Sequence, residues 1–182
     1  MEIKSILLFS MLAISAVIPA AYAQNSNISQ WNNFTSAELG ISFQYPDNWN
    51  LTQRNTSSEL IPDVVVNNGS NYFNYIKPDT RIDTELANVG FEAIAQTFID
   101  TYSRNGTIVQ YLDLNSTQID GNPTATFAYS FGNNPLIIVS KVFLVEQNQM
   151  IHTLTYNDLR SSFDSPASQE TMNRIIDSFE FQ

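Results

Sequence analysis

The 182-residue chain carries 18 acidic against 8 basic side chains, a net charge of −10, and no cysteine. With no cluster of Lys or Arg it cannot neutralise a phosphate backbone, and anionic membrane surfaces are disfavoured for the same reason. The lack of cysteine excludes disulfides, a lipid-modified N-terminal Cys, thiolate metal sites and Cys nucleophiles, so packing alone must hold a domain of this length.

The N-terminus has the order of a secretory signal. Lys4 supplies a positive charge, Ile6 to Ala20 is apolar, Pro19 breaks the run, and Ala21-Tyr22-Ala23 places small residues at −3 and −1 of a cleavage site before Gln24. The apolar run is about 15 residues, short of the roughly 20 that span a bilayer. The expectation is a signal peptide at 1–23, a flexible lead at 24–30 and one domain at 31–182. That domain is expected to be secreted or cell-surface associated, with no direct membrane span after cleavage.

The elements follow in order. Trp31 to Thr35 and Leu39 to Tyr45 read as strands around the turn Ala37 to Gly40, with Ile41, Phe43 and Tyr45 alternating against Ser42 and Gln44. Pro46-Asp47-Asn48 turns the chain into a strand at Trp49 to Arg54. Ile61 to Val66 is β-branched, Asn67-Asn68-Gly69-Ser70 is turn chemistry, and Tyr72 to Lys77 is extended. Between Thr84 and Arg104 the period changes: Phe91, Ile94, Ala95, Phe98 and Tyr102 share one helix face, and Asn105-Gly106 supplies a stop.

Four strands are expected next, at Thr107 to Ile119, Thr124 to Phe131, Leu136 to Glu146 and Met150 to Tyr156. Asp120-Gly121, Gly132 to Pro135 and Gln147-Asn148 are their hairpin signals. Leu136 to Val145 is apolar nearly throughout, the mark of a central strand covered on both sides. Asp164-Ser165-Pro166 reads as an N-cap before a C-terminal helix whose inner stripe is Met172, Ile175, Ile176 and Phe179. The pattern predicts an α+β domain, a mainly antiparallel sheet with helices covering it.

Asn-x-Ser/Thr sequons stand at Asn27, Asn33, Asn50, Asn55, Asn68, Asn105 and Asn115, about twice the number that chance gives for this composition. They predict an N-glycosylated exported protein, from an archaeon or eukaryote rather than most bacteria, or else a surface merely rich in Asn, Ser and Thr.

Catalytic chemistry finds little support. His152 is the only histidine, so a multi-histidine metal site is impossible, and no Gly-x-Ser-x-Gly elbow or Gly-rich phosphate loop exists. Asp113 to Gln118 begins like a calcium loop but has Gln118 where Gly belongs. Asp79 with Asp83, or Asp120 with Asn122, could meet a hard cation, and otherwise serve as turns and caps. Tyr45-Pro46-x-x-Trp49 is either an aromatic platform or a corner with Trp49 packed under it. No catalytic residue and no cofactor is predicted.

The segment Leu39-Gly40-Ile41-Ser42-Phe43-Gln44-Tyr45-Pro46-Asp47-Asn48-Trp49 resembles the opening of the PsbP-like family. The middle helix, the long strands and the closing Ile175-Ile176-Asp177-Ser178-Phe179 match the family layout as well. The motif residues are Gly40, Phe43, Tyr45, Pro46, Trp49, Ser178 and Phe179, with structural roles. The resemblance runs from Trp31 to Phe181 and implies an α-β-α sandwich around an antiparallel sheet. It brings extrinsic photosystem II subunits, small exported proteins and a nuclear-transport factor into view, and no ion-binding residue carries over. Fold alone does not fix function.

The leading expectation is therefore a secreted, glycosylated, non-enzymatic accessory domain that docks to a cell-surface or membrane-associated assembly through a protein partner. Such docking predicts an exposed apolar patch free of sequons. The alternatives are an extracellular small-ligand or metal-ion binder, calcium included, with a pocket between sheet and long helix, and a hydrolase of extracellular polymers.

Overall fold

The computed structural model describes residues 30–54, 62–69, 71–77, 91–104, 108–111, 117–133 and 135–182. The signal with Ala21, Ala23 and Gln24 lies outside the described residues, as do residues 24–29 of the lead and the sequons at Asn27, Asn55, Asn105 and Asn115.

The chain opens with a hairpin. Strand β1 (Trp31–Ser36) pairs antiparallel with β2 (Ile41–Pro46), from Trp31↔Pro46 to Ser36↔Ile41. The expected start of β2 at Leu39 moves to Ile41, because Leu39 and Gly40 close the turn on Ser36. Leu39 N donates to Ser36 Oγ at 3.3 Å and Gly40 N to Ser36 O at 2.8 Å. Gly40 sits at φ 66°, where a side chain is strained.

Strands β3 (Asn50–Gln53), β4 (Val64–Asn67) and β5 (Tyr72–Ile76) form a meander. Helix α1 (Phe91–Arg104) follows. Its buried stripe is Ile94, Ala95 and Ile99, with Phe91 and Phe98 packed partly against the same cluster. The stripe therefore takes in Ile99, which the predicted face omitted.

The expected single strand at Thr107 to Ile119 is two: β6 (Ile108–Tyr111) and β7 (Thr117–Ile119). Both pair with β8 (Asn122–Asn133), Ile108 opposite Ser130 and Thr117 opposite Thr124, and the register shifts between Val109 and Tyr111. The register shift marks a bulge in β6, so the ladder along β8 is interrupted there. Strands β9 (Leu136–Gln147) and β10 (Met150–Leu159) complete the meander. The β7–β8 turn uses Asp120 and Gly121 at φ 50° and 74°, and the β9–β10 turn uses Asn148 and Gln149 at 53° and 64°. Two adjacent positive φ values mark the tight hairpin turn whose twist matches the strands.

Two short elements escaped the sequence reading, α2 (Arg160–Phe163) and β11 (Glu180–Phe181). Between them lies α3 (Pro166–Asp177). Its N-cap Ser165 accepts from Ser168 N, and Pro166 occupies the first turn.

The strands make two antiparallel sheets. One has the order β1-β2-β11, and the other runs β3-β4-β5-β10-β9-β8-β6 with β7 also on β8. One core lies between the sheets. There Phe34, Phe43 and Ile41 meet Phe73, Tyr75, Leu154 and Tyr156, with Met172 and Ile175 of α3. The other lies under α1, where Ala95 and Ile99 meet Ala125, Phe127, Tyr129, Val142 and Leu144. Val139, Phe143 and Val145 face the first core while Val142 and Leu144 face the second, so β9 is covered on both sides as its composition predicts. The layering differs from a plain helix–sheet–helix stack. A small sheet and α3 together cover the first face, because the aromatic hairpin β1–β2 has its own apolar side to bury.

Candidate functional site

The residues that could carry chemistry fall in two buried places. The first surrounds His152, on β10 and 4% exposed. Its neighbour on β5, Tyr75, has its hydroxyl 2.8 Å from His152 Nδ1, and the two rings stack at 5.9 Å. Phe181 of β11 closes the far side edge-on at 4.6 Å. His152 Nε2 is buried with no partner among the described residues. Burial, and then the positive charge of Lys77, lowers His152 to about 4. Burial, and then the negative charge of Asp63, raises Tyr75 above the usual phenol range. The imidazole is therefore neutral at pH 7. It can neither release a bound proton to a substrate there nor reach one, since Phe181 and Tyr75 cover it.

Around this pair the charged groups serve the backbone. Asp63 Oδ2 accepts from Lys77 N at 2.7 Å, Asp63 N donates to Tyr75 O at 2.9 Å, and Lys77 Nζ donates to Glu38 O at 3.2 Å. Burial raises the Asp63 carboxyl despite its bond from Lys77.

The second place is Asp158, fully buried at the end of β10. Its Oδ1 accepts from Leu159 N and Ser162 Oγ, each at 2.6 Å, and its Oδ2 accepts from Ser168 Oγ at 2.5 Å. Tyr156 OH lies 3.1 Å from Ser168 Oγ, and the Asn71 side chain bonds to both Tyr156 and Asp158. Burial raises Asp158 while these donors pull it down, and burial lifts Tyr156 to about 12. The network ties β10, α2 and α3 together. Only the Asn157-Asp158 ending of the strand could have signalled it in the sequence.

The other face of β5 and β10 is polar too. Tyr72, Asn74, Thr155 and Asn157 lie there, and Asn74 is 4% exposed. Ser140 Oγ donates to Asn157 Oδ1, and Asn157 Nδ2 donates to Tyr72 O at 3.4 Å. Asn74 Oδ1 and Tyr72 OH are buried with no partner among the described residues.

The motif residues occupy the first core and its rim. Phe43 stacks on Phe179 at 6.0 Å and meets Phe73 edge-on at 5.2 Å, with Tyr45 edge-on at 6.3 Å. Pro46 ends β2 and its carbonyl accepts from Trp49 N at 3.0 Å, and buried Trp49 stacks over Tyr156 at 6.4 Å. Trp49 thus packs under the corner rather than standing out as a platform. Ser178 caps α3 and accepts from Gln44 N at 2.8 Å, joining the last helix to β2.

Of the candidate cation residues, Asp79, Asp83 and Asp113 to Ser116 lie outside the described residues. Asp120 Oδ2 accepts from Phe181 N at 2.9 Å, and Asn122 Nδ2 donates to Asp120 O at 2.9 Å, so this pair holds a turn and the C-terminal strand. Among the described residues no three His, Asp or Glu side chains gather where a metal could bind. The sequon asparagines Asn33, Asn50 and Asn68 are exposed. Leu136, 53% exposed, is the one large hydrophobic standing out among the described residues, so the expected apolar patch is not found there. No described helix is long and apolar enough to cross a membrane.

The sequence profile of the family described as PsbP-like protein matches residues 19–181. The chain belongs to the PsbP-like family. No curated protein sequence matches it. Among solved structures it is similar to cyanobacterial PsbP from Synechocystis, with 16% identity, a TM-score of 0.60, and 90% of this chain and 99% of that one covered. It is also similar to a protein from Bacteroides thetaiotaomicron, with 14% identity, a TM-score of 0.52 and coverage of 82% and 48%. LpqN of Mycobacterium tuberculosis, described as involved in cell envelope biogenesis, shares 13% identity with a TM-score of 0.50 and coverage of 84% and 91%. At such identities the likeness is one of fold.

Proposed function

We propose that this PsbP-like chain is a secreted, N-glycosylated, non-enzymatic accessory domain that docks to a protein assembly at the cell surface or membrane. The observation that carries the reading is the family match across residues 19–181. The buried titratable groups support it. His152 and Asp158 are each enclosed by the fold, His152 beside Tyr75 and Phe181 and Asp158 among bonded hydroxyls, which suits a scaffold and not a reaction centre. The exposed sequons support export to a compartment where glycans are added. The absence of a broad apolar patch among the described residues counts against docking through an apolar face, so any docking here would have to be polar.

A pull-down from native membranes and culture medium, with mass spectrometry of the same sample, tests all three parts. The expected result is a co-purifying membrane or surface protein, an N-terminus at Gln24 and glycopeptides at the exposed sequons. A cytoplasmic chain retaining Met1 would end the reading.

A second reading is an extracellular small-ligand binder. It is favoured by Asn74 Oδ1 and Tyr72 OH, polar atoms buried with no partner among the described residues, on the side of the sheet that α1 shares. Calorimetry of the mature protein with calcium, manganese and zinc tests its metal version, and absence of heat together with an unchanged melting temperature removes it.

A further inference from the structure

An open sheet edge is a template for pairing with another chain, and proteins guard such edges with charge, proline, bulges or brevity. Among the described strands this domain has four edges: β1 and β11 in the small sheet, β3 and the β6–β7 side in the large one. Two are guarded by the chain itself. Strand β11 is two residues long and carries Glu180, and the β6–β7 edge is broken by a register shift.

Within the other two strands there is no charge, interior proline or bulge, and only β3, at four residues, is short. Strand β1, Trp31–Ser36, and strand β3, Asn50–Gln53, contain no Asp, Glu, Lys, Arg or interior Pro, and both pair without interruption on their inner side. They also meet, since Gln53 Nε2 donates to Ser36 Oγ at 3.2 Å, and the flanking charges are Arg174, over Trp31 at 4.3 Å, and Arg54, just beyond β3. These two strands are the described strands that begin or contain a sequon. Asn33 with Thr35 lies on β1, Asn50 with Thr52 on β3, and all four side chains are exposed, with each Asn and its Thr two residues apart on one strand face.

We infer that N-glycans on Asn33 and Asn50 guard these two edges, keeping the domain from pairing edge to edge with a second copy of itself. A hydrated, bulky glycan on an edge strand blocks approach of another strand as a lysine would, without adding charge. The partner surface of the domain then lies away from the β1–β3 flank. The inference rests on the glycosylation reading and goes beyond it, because occupancy alone would not require that the glycans control association.

The test uses the full chain secreted from eukaryotic cells, with occupancy read by glycopeptide mass spectrometry and mass in solution by light scattering. Four proteins are compared: the parent, Asn33→Gln/Asn50→Gln, Ser70→Ala to remove the turn sequon at Asn68, and Asn33→Gln/Asn50→Gln carrying Thr35→Lys and Thr52→Lys. The parent and Ser70→Ala should be monomers, the double variant should shift to dimers and larger species, and the lysines should return it to a monomer. Circular dichroism confirms that each is folded. Unoccupied Asn33 and Asn50 would remove the glycosylation reading and the inference together. Occupied sites with a monomeric double variant would remove the inference alone. Association of Ser70→Ala to the same extent, or no rescue by lysine, would also overturn it, since the glycans would then act as general solubilisers.

Discussion

The two faces of the large sheet are built on different terms. The face toward the small sheet is a continuous aromatic cluster, in which Phe34, Phe43, Phe73, Phe179 and Tyr75 stand in ring contacts of 5.1 to 6.0 Å. Its buried polar groups are mostly bonded, Tyr75 to His152 and Tyr156 to Ser168, and His152 Nε2 alone finds no partner among the described residues. The face toward α1 is apolar over β8 and β9, with Ile151 of β10 at its margin. Over β5 and β10 it turns to Tyr72, Asn74, Thr155 and Asn157, and leaves two oxygen atoms unpaired. An apolar contact needs only to exclude water, whereas a buried polar group must also find a partner. Each face thus carries polar atoms unpaired among the described residues, one nitrogen on the first and two oxygens on the second, and the second gives up more stability.

The largest expected effect breaks the first face. Phe43→Ala removes the ring that touches Phe34, Tyr45, Phe73 and Phe179 and should cost about 3–5 kcal/mol in urea unfolding. Ile99→Ala under α1 should cost about 2 kcal/mol, the lower end for an aliphatic truncation. Equal losses would mean that the two cores contribute alike.

This asymmetry explains what the sequence could reveal. Alternation in Ile41, Phe43 and Tyr45 and the apolar run of β9 are signals of burial, and burial is what sequence patterning reports. The C-terminal helix was legible because Ser165 and Pro166 act locally. Strand β11 was not, because two residues carry no period; it is fixed by partners far along the chain, Asp120 to Phe181 N and Gly40 O to Gln182 N. The division of Thr107 to Ile119 was hidden for a similar reason, since it depends on register against β8. Asp158 and the His152–Tyr75 pair were invisible as sites because the residues that enclose them come from separate elements.

A pH experiment probes the first face at its one imidazole. His152 falls from an ordinary 6.5 to about 4 in the fold, by burial first and Lys77 second. As pH drops, the unfolded chain takes this proton before the folded one does. The contribution is complete above pH 6.5 and is lost as pH falls to 4, about 3 kcal/mol in all. Asp63 and Asp158 act with the opposite sign, because their raised carboxyls are protonated in the fold first and gain stability as pH falls. The difference between the parent and His152→Gln isolates the imidazole. Parallel stability curves for the two between pH 7 and 4 would show that the ring is open to water and that Phe181 does not seal it.

The smallest effect separates the faces most cleanly, because it changes a single oxygen on each. Tyr156→Phe deletes a hydroxyl that Ser168 and Asn71 engage, and should cost about 1 kcal/mol. Tyr72→Phe deletes a buried hydroxyl that has no partner among the described residues, so it should be neutral or stabilise by about 1 kcal/mol. The substitutions are chemically identical and both sit on neighbouring strands of one sheet, so composition and local propensity cancel between them. A measured cost for Tyr72→Phe as large as that for Tyr156→Phe would mean that the α1 face satisfies its polar groups after all. The case for a ligand on that face would then be lost, while the edge-guarding role of Asn33 and Asn50, which depends on neither oxygen, would stand.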